Sequence, residues 1–178
     1  MKNRKGISTV IATVLIILIT VSAAAILYSS IMSFVKSGTE STSCVPYREY
    51  LKFDTSMEYN CYDSNSRLGF SIKALAANSD QQEITNFSVK FIGDGVTKTV
   101  KVGAGAPTSS GSGGVRMIDS SIAKIVVPAS GETQTYVFNT GGENYSRVEV
   151  YPVLLNGRLC DRSDAIDLEF CLRTSLGS

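Results

Sequence analysis

The sequence contains no histidine. A Ser-His-Asp or Cys-His nucleophile system needs an imidazole, and so does any zinc site with a nitrogen ligand, so both are excluded. Tryptophan is also absent. That removes the buried indole which pins the core of antibody domains. An excess of charge of either sign is missing too: 17 Lys and Arg stand against 16 Asp and Glu, for a net charge of +1. A nucleic-acid partner held by a basic field needs a far larger imbalance. No nucleophile is paired with a base anywhere in the chain. No enzymatic activity, cofactor or metal is therefore expected.

Two segments imitate binding motifs and fall short. Residues 103–114 read GAGAPTSSGSGG, but Gly103-Ala104-Gly105 has no glycine three residues on and no Gly-Lys-Ser/Thr follows. A flexible, exposed loop is expected there rather than a phosphate cradle. Asp63-Ser64-Asn65 begins like a calcium loop, but the required glycine falls one position late, at Gly69, and no closing glutamate follows. Asp161, Asp164 and Asp167 read as a solvated acidic loop.

What the chain does have is apolar residues concentrated at its start. Lys2, Arg4 and Lys5 lie in the first six residues, and then residues 7–35 are 29 positions without a charged side chain. As a helix they would span roughly 43 Å at about 1.5 Å per residue. A bilayer core of about 30 Å needs about 20 apolar residues. The three cations on one side keep residues 1–6 in the cytoplasm and send everything after residue 35 outside. Without residues 1–6 the net charge is −2, which suits a solvated surface domain.

Arg4-Lys5-Gly6, followed at once by the uncharged run from Ile7 through Leu15, resembles the N-terminus of archaeal type IV pilin-like proteins. The resemblance covers roughly residues 5–35. It implies a class III signal peptide cut by a prepilin peptidase between Gly6 and Ile7. Bacterial pilins carry a glutamate at the fifth mature position; here Ile11 stands there, which agrees with the archaeal pattern. The resemblance further implies self-association into a helical homopolymer, handled by the pilus assembly machinery, with residence in the membrane before assembly. No nucleic-acid partner is implied.

Small residues in the helix suit close packing. Thr9, Thr13, Thr20 and Ala24 share one face, and Ser22, Ala25, Ser29 and Ser33 share another. Such residues let helix backbones approach and let hydroxyls bond across helices. Ala23-Ala24-Ala25 also fits a secretory cleavage site, yet apolar residues continue past it through Val35.

Residues 36–43 are polar and read as a linker. Beyond them, short apolar or alternating runs at 68–76, 84–92, 96–102, 122–127, 133–138, 147–155 and 165–172 predict seven strands. The expected fold is α+β: a long N-terminal hydrophobic α-helix, then an antiparallel β-sandwich of immunoglobulin-like architecture. The organisation is a leader at 1–6, a transmembrane or filament-core helix at 7–35, a linker at 36–43 and a surface domain at 44–178.

Cys44, Cys61, Cys160 and Cys171 make an even count in an exported chain, which predicts disulfides with three possible connectivities. Spacings of 17 and 11 favour the local pairs Cys44–Cys61 and Cys160–Cys171. A four-thiolate zinc site lacks any C-x-x-C pair. Asn86-Phe87-Ser88 and Asn144-Tyr145-Ser146 are sequons for N-glycosylation. Tyr47, Tyr50, Tyr59 and Tyr62 form either a contact surface or a packed cluster beside the Cys44–Cys61 stretch.

The function expected is that of a structural subunit of an archaeal pilus-like extracellular filament, serving surface attachment. Two alternatives stay open. One is a monomeric single-span surface binding domain; the other is a secreted protein cut after Ala25.

Overall fold

The computed structural model describes residues 9–42, 44–76, 84–172 and 176–177, and the helix side chains from 10 to 32. The chain divides into two compact units, Met1–Ser43 and Cys44–Ser178.

The first unit is one helix, α1, Thr9–Thr42. No proline falls within α1 and its one glycine, Gly38, lies in the polar tail, so the apolar part keeps an uninterrupted backbone ladder. The helix runs on through residues 36–42, where the composition suggests a linker; the polar tail keeps helical hydrogen bonding although its apolar pattern has ended. Val10–Met32 is long and apolar enough to cross a membrane. Every side chain from Val10 to Met32 except Ala12 is exposed. A helix that is apolar all round needs lipid or other protein as its surroundings.

Among the described residues, the second unit contains ten strands in two sheets. They are β1 (Leu51–Phe53), β2 (Cys61–Tyr62), β3 (Arg67–Ala74), β4 (Asn86–Ile92), β5 (Thr97–Gly103), β6 (Val115–Met117), β7 (Thr133–Asn139), β8 (Arg147–Val153), β9 (Asp164–Asp167) and β10 (Glu169–Phe170). The chain is thus α+β. One sheet runs β10-β2-β3-β7-β6, with β1 also paired to β3; the other runs β5-β4-β8-β9. Among the described strands all pairings are antiparallel except β10 with β2.

Period-two alternation builds the core. In β4, Phe87, Val89 and Phe91 are buried; in β3, Leu68, Phe70, Ile72 and Ala74 are. Aromatic rings join the two sheets. Phe70 meets Phe91 edge-on with centroids 5.7 Å apart, and Phe87 meets Tyr136 at 5.5 Å. The Tyr136 hydroxyl donates to the Val126 carbonyl at 2.6 Å, so the buried phenol is satisfied. Burial holds its pKa far above the ordinary tyrosine range. Each large apolar side chain buried here contributes about 1.5–3 kcal/mol.

A smaller cluster of Cys61, Val137 and Leu176 includes the partly buried Tyr59, Ile118 and Cys171. The buried Arg116 guanidinium donates to the carbonyls of Met117 at 3.1 Å and Leu176 at 2.7 Å. It thereby ties residue 176 to β6.

The expected strand at 122–127 does not form. Lys124 makes only an isolated bridge to Pro107. Ile125 instead plugs the core while its backbone exchanges hydrogen bonds with Gly105 and Ala106. The expectation of a flexible loop at 103–114 is also corrected. Gly113 donates to Asn139 at 2.8 Å, Asn139 to Gly114 at 3.0 Å, and the Asn139 amide to the Ser110 carbonyl at 2.7 Å. The segment is exposed, but its backbone is pinned to the end of β7.

Candidate functional site

The helix offers one candidate surface. Thr13 donates to the Val10 carbonyl at 2.9 Å, Thr20 to Ile17 at 2.9 Å, Ser22 to Leu18 at 2.7 Å and Ser29 to Ile26 at 2.8 Å. Each of these hydroxyls donates its proton within its own helix and keeps its acceptor lone pairs. With Ala24 and Ala25 they give the surface small side chains and hydroxyl oxygens that can still accept. Thr9 and Ser33 lie outside the described side chains, and the Gly6–Ile7 junction lies outside the described residues.

All four cysteines form disulfides, but not in the local pairs that their spacing favours. Cys44 joins Cys160 with Cα atoms 5.4 Å apart, and Cys61 joins Cys171 at 5.1 Å. The physical reason is sheet order. β10 lies parallel beside β2, with Glu169 opposite Cys61 and Phe170 opposite Tyr62, so the residue after β10 falls against β2. Cys160 donates its N–H to the Pro152 carbonyl at 2.9 Å, which fixes it at the far end of β8 beside Cys44.

The tyrosines divide. Tyr47 and Tyr50 are buried and meet edge-on at 5.9 Å. Tyr59 is partly buried in the smaller cluster, while Tyr62 is 39% exposed and packs edge-on against Phe170, itself 51% exposed, at 5.7 Å.

The three aspartates of the expected acidic loop serve different ends. Asp164 accepts the Phe53 N–H at 2.9 Å, Asp167 pairs with Arg147 at 2.9 Å, and Asp161 is exposed. Asp63 closes a turn by accepting the N–H groups of Asn65 at 2.9 Å and Arg67 at 3.0 Å. Both sequons are placed. Asn144 is exposed in the loop between β7 and β8. Asn86 opens β4 half-buried, and Ser88 of its sequon is 7% exposed.

On the face of the β5-β4-β8-β9 sheet opposite the core, Glu149 is buried to 6% exposure. It accepts from Arg162 at 2.8 Å and from the Tyr151 hydroxyl at 2.7 Å. Burial pushes this carboxyl up, but those two hydrogen bonds and the charges of Arg162 and Lys90 outweigh it and leave the pKa below its ordinary value. Tyr151 is pushed up to about 12, by burial first and then by its bond to Glu149.

A cavity of about 670 Å³ opens at one end of the strand unit. Three connections and one strand wall it: the β2–β3 turn with Asp63, the β4–β5 turn with Asp94, the β7–β8 loop with Glu143 and Asn144, and β10 with Phe170. Arg67 and Tyr62 complete the rim. Gly93 is needed in the wall, because a Cβ there would land on the Asn144 carbonyl oxygen. Ser66, also lining the cavity, holds φ at +58°, an uncommon conformation for a residue other than glycine. Its carbonyl accepts the Thr140 N–H at 2.8 Å, which binds the β2–β3 turn to the β7–β8 loop.

Sequence patterning reached Asp63, Tyr62 and Asn144 for other reasons. It missed Arg67, Asp94, Glu143 and Phe170 as partners, since they come from separate segments with no motif between them. Compared with protein-family models, with curated proteins and with solved structures, the chain matches none of them.

Proposed function

We propose that this chain is a structural subunit of an archaeal type IV pilus-like extracellular filament, held in the membrane before assembly and serving surface attachment. The observation that carries this reading is a helix apolar on every side, with all side chains from Val10 to Met32 but Ala12 exposed, joined to a disulfide-bonded strand unit. Disulfides belong to oxidising surroundings outside the cytoplasm. In a filament, neighbouring helices replace lipid around the apolar surface, and the small faces at Thr13, Thr20 and Ala24 or at Ser22, Ala25 and Ser29 admit them. The two-sheet unit serves as an immunoglobulin-like sandwich on the outside.

N-terminal sequencing of the exported protein tests the reading. A mature chain beginning at Ile7 and sheared filaments containing it are the expected result. A Gly6→Val variant should accumulate as a longer precursor without filaments. A chain beginning at Met1 overturns the proposal.

A second reading is a monomeric single-span anchor. The hydroxyl protons of Thr13, Thr20, Ser22 and Ser29, all donated within the helix, favour it, because none of these donors is then left without a partner in lipid. Secretion by cleavage after Ala25 is the weaker alternative, since the helix passes unbroken through that position to Thr42.

A further inference from the structure

The geometry points to the cavity walled by Tyr62, Asp63, Arg67, Asp94, Glu143 and Phe170 as a binding site for uncharged pyranose oligosaccharides. This deepens the surface-attachment reading and rests on the strand unit being exported, not on polymerisation.

Position comes first. β8 begins at Arg147, next to the cavity loop, and its other end at Pro152 holds Cys160 and through it Cys44. Seven residues at about 3.4 Å each separate the two ends of β8 by roughly 20 Å. The cavity thus lies at the end of the strand unit remote from Cys44, where the chain enters. Loops gathered at one end of a two-sheet scaffold are where binding residues concentrate.

Chemistry comes second. A pyranose ring has one face of C–H groups and a rim of hydroxyls. The C–H face suits the negative face of an aromatic ring. Tyr62 and Phe170 supply such rings, partly exposed and edge-on to each other. The hydroxyls suit carboxylates as acceptors and a guanidinium as donor. Three carboxylates against one guanidinium make the site net negative, so it repels uronates and other acidic sugars.

Preorganisation comes third. The strands carrying the rings are only two residues long and would not hold each other unaided. The Cys61–Cys171 disulfide closes directly beside both rings, since Cys61 precedes Tyr62 and Cys171 follows Phe170. Cys171 also donates its N–H to the Tyr62 carbonyl at 2.9 Å. A platform fixed before the ligand arrives loses less entropy on binding.

The test is calorimetric titration of the full-length chain in a non-glycosidic detergent, made in a host that leaves Asn144 unmodified. The probes are lactose, maltotriose, chitotriose and mannotriose, with trigalacturonate and tetralysine as charged comparisons. At least one uncharged sugar should bind, and trigalacturonate should not. Phe170→Ala or Tyr62→Ala should weaken that binding about tenfold, a loss typical of a buried aromatic anchor. Leu155→Ala, beyond the far end of β8, should leave it unchanged. Asp94→Asn combined with Glu143→Gln should admit trigalacturonate. Intact disulfides and an unchanged unfolding midpoint establish that each variant is folded. Absence of binding by every uncharged sugar at about 10 mM, where a millimolar Kd would show, overturns the proposal. So does sugar binding that survives both aromatic variants, or binding of tetralysine alone. None of these outcomes alters the N-terminus of the exported chain, so failure here is distinct from failure of the filament reading.

Discussion

Phe91 of β4 and Phe138 of β7 stack with ring centroids 4.1 Å apart and planes 7° from parallel, one from each sheet. Both are essentially inaccessible to solvent. Tyr145 leans on both, with centroids 5.8 Å from Phe91 and 6.0 Å from Phe138. Because Tyr145 follows Asn144, the same rings that join the sheets also hold the loop that walls the cavity.

Replacing either stacked ring should cost about 3–5 kcal/mol of stability, the usual loss for a phenylalanine cut to alanine in a core. The double variant should cost less than the sum, because the first truncation already removes the shared contact. Denaturant unfolding of the three variants against the parent measures both effects.

Peptide mapping without reduction should recover Cys44 linked to Cys160 and Cys61 linked to Cys171, with no free thiol. Changing Cys44 and Cys160 together to serine should lower stability by about 2–4 kcal/mol. The loss falls toward the lower end because the overlapping Cys61–Cys171 bridge still restrains most of the same unfolded chain. Recovery of Cys44–Cys61 peptides would refute the pairing.

Glu149 makes stability depend on acid. Its pKa in the folded chain lies below the ordinary 4.5, so the folded state favours the ionised carboxyl. That contribution is complete above the unfolded value and is lost as the pH falls through the folded one. Unfolding followed from about pH 6 to pH 3 should show the parent losing more stability than Glu149→Gln, the two curves converging at the acid end. At neutral pH the variant should be less stable by about 1–2 kcal/mol, since it gives up charge-assisted bonds to Arg162 and Tyr151. Parallel curves at all pH values would contradict the assignment.

Gly93→Ala and Gly95→Ala separate two kinds of glycine requirement in one turn. At Gly93 the obstacle is the Asn144 carbonyl, so the β7–β8 loop must shift. At Gly95 a Cβ meets nothing within 4 Å, but φ is +72°. Gly95→Ala should cost about 1 kcal/mol of backbone strain and leave the loop in place. Gly93→Ala should cost more and change amide chemical shifts around residue 144. Equal effects on those shifts would argue against the close approach.

The long strands were legible because alternation over seven or eight residues leaves few other readings. Phe87, Val89 and Phe91, or Val148 and Val150, announce which face turns inward. β1, β2 and β6 were not legible, since two or three residues cannot establish a period. The run 122–127 misled because apolar content alone does not distinguish a strand from a loop that inserts one plug, Ile125. The cysteine spacings misled for a related reason: nearness in sequence says nothing about a parallel pairing such as β10 on β2, which only the completed sheet brings about. The cavity was the least legible feature. Its walls come from four stretches of chain, and Phe170 looks like an ordinary apolar residue until Tyr62 stands beside it.

The Cys44–Cys160 bridge sets how a pulling load would travel. Tension arriving along the helix enters the strand unit at Cys44 and crosses at once to Cys160, so the 116-residue separation between them cannot be drawn out. Cys160 and Glu143 on the cavity loop are then only 17 positions apart in the chain. Fully extended, that stretch reaches roughly 60 Å, whereas the direct route from residue 44 to residue 143 would reach roughly 340 Å, at about 3.4 Å per residue. Between tether and cavity the bridge therefore caps how far the chain can be drawn out, at about a sixth of the reach it would have without the disulfide.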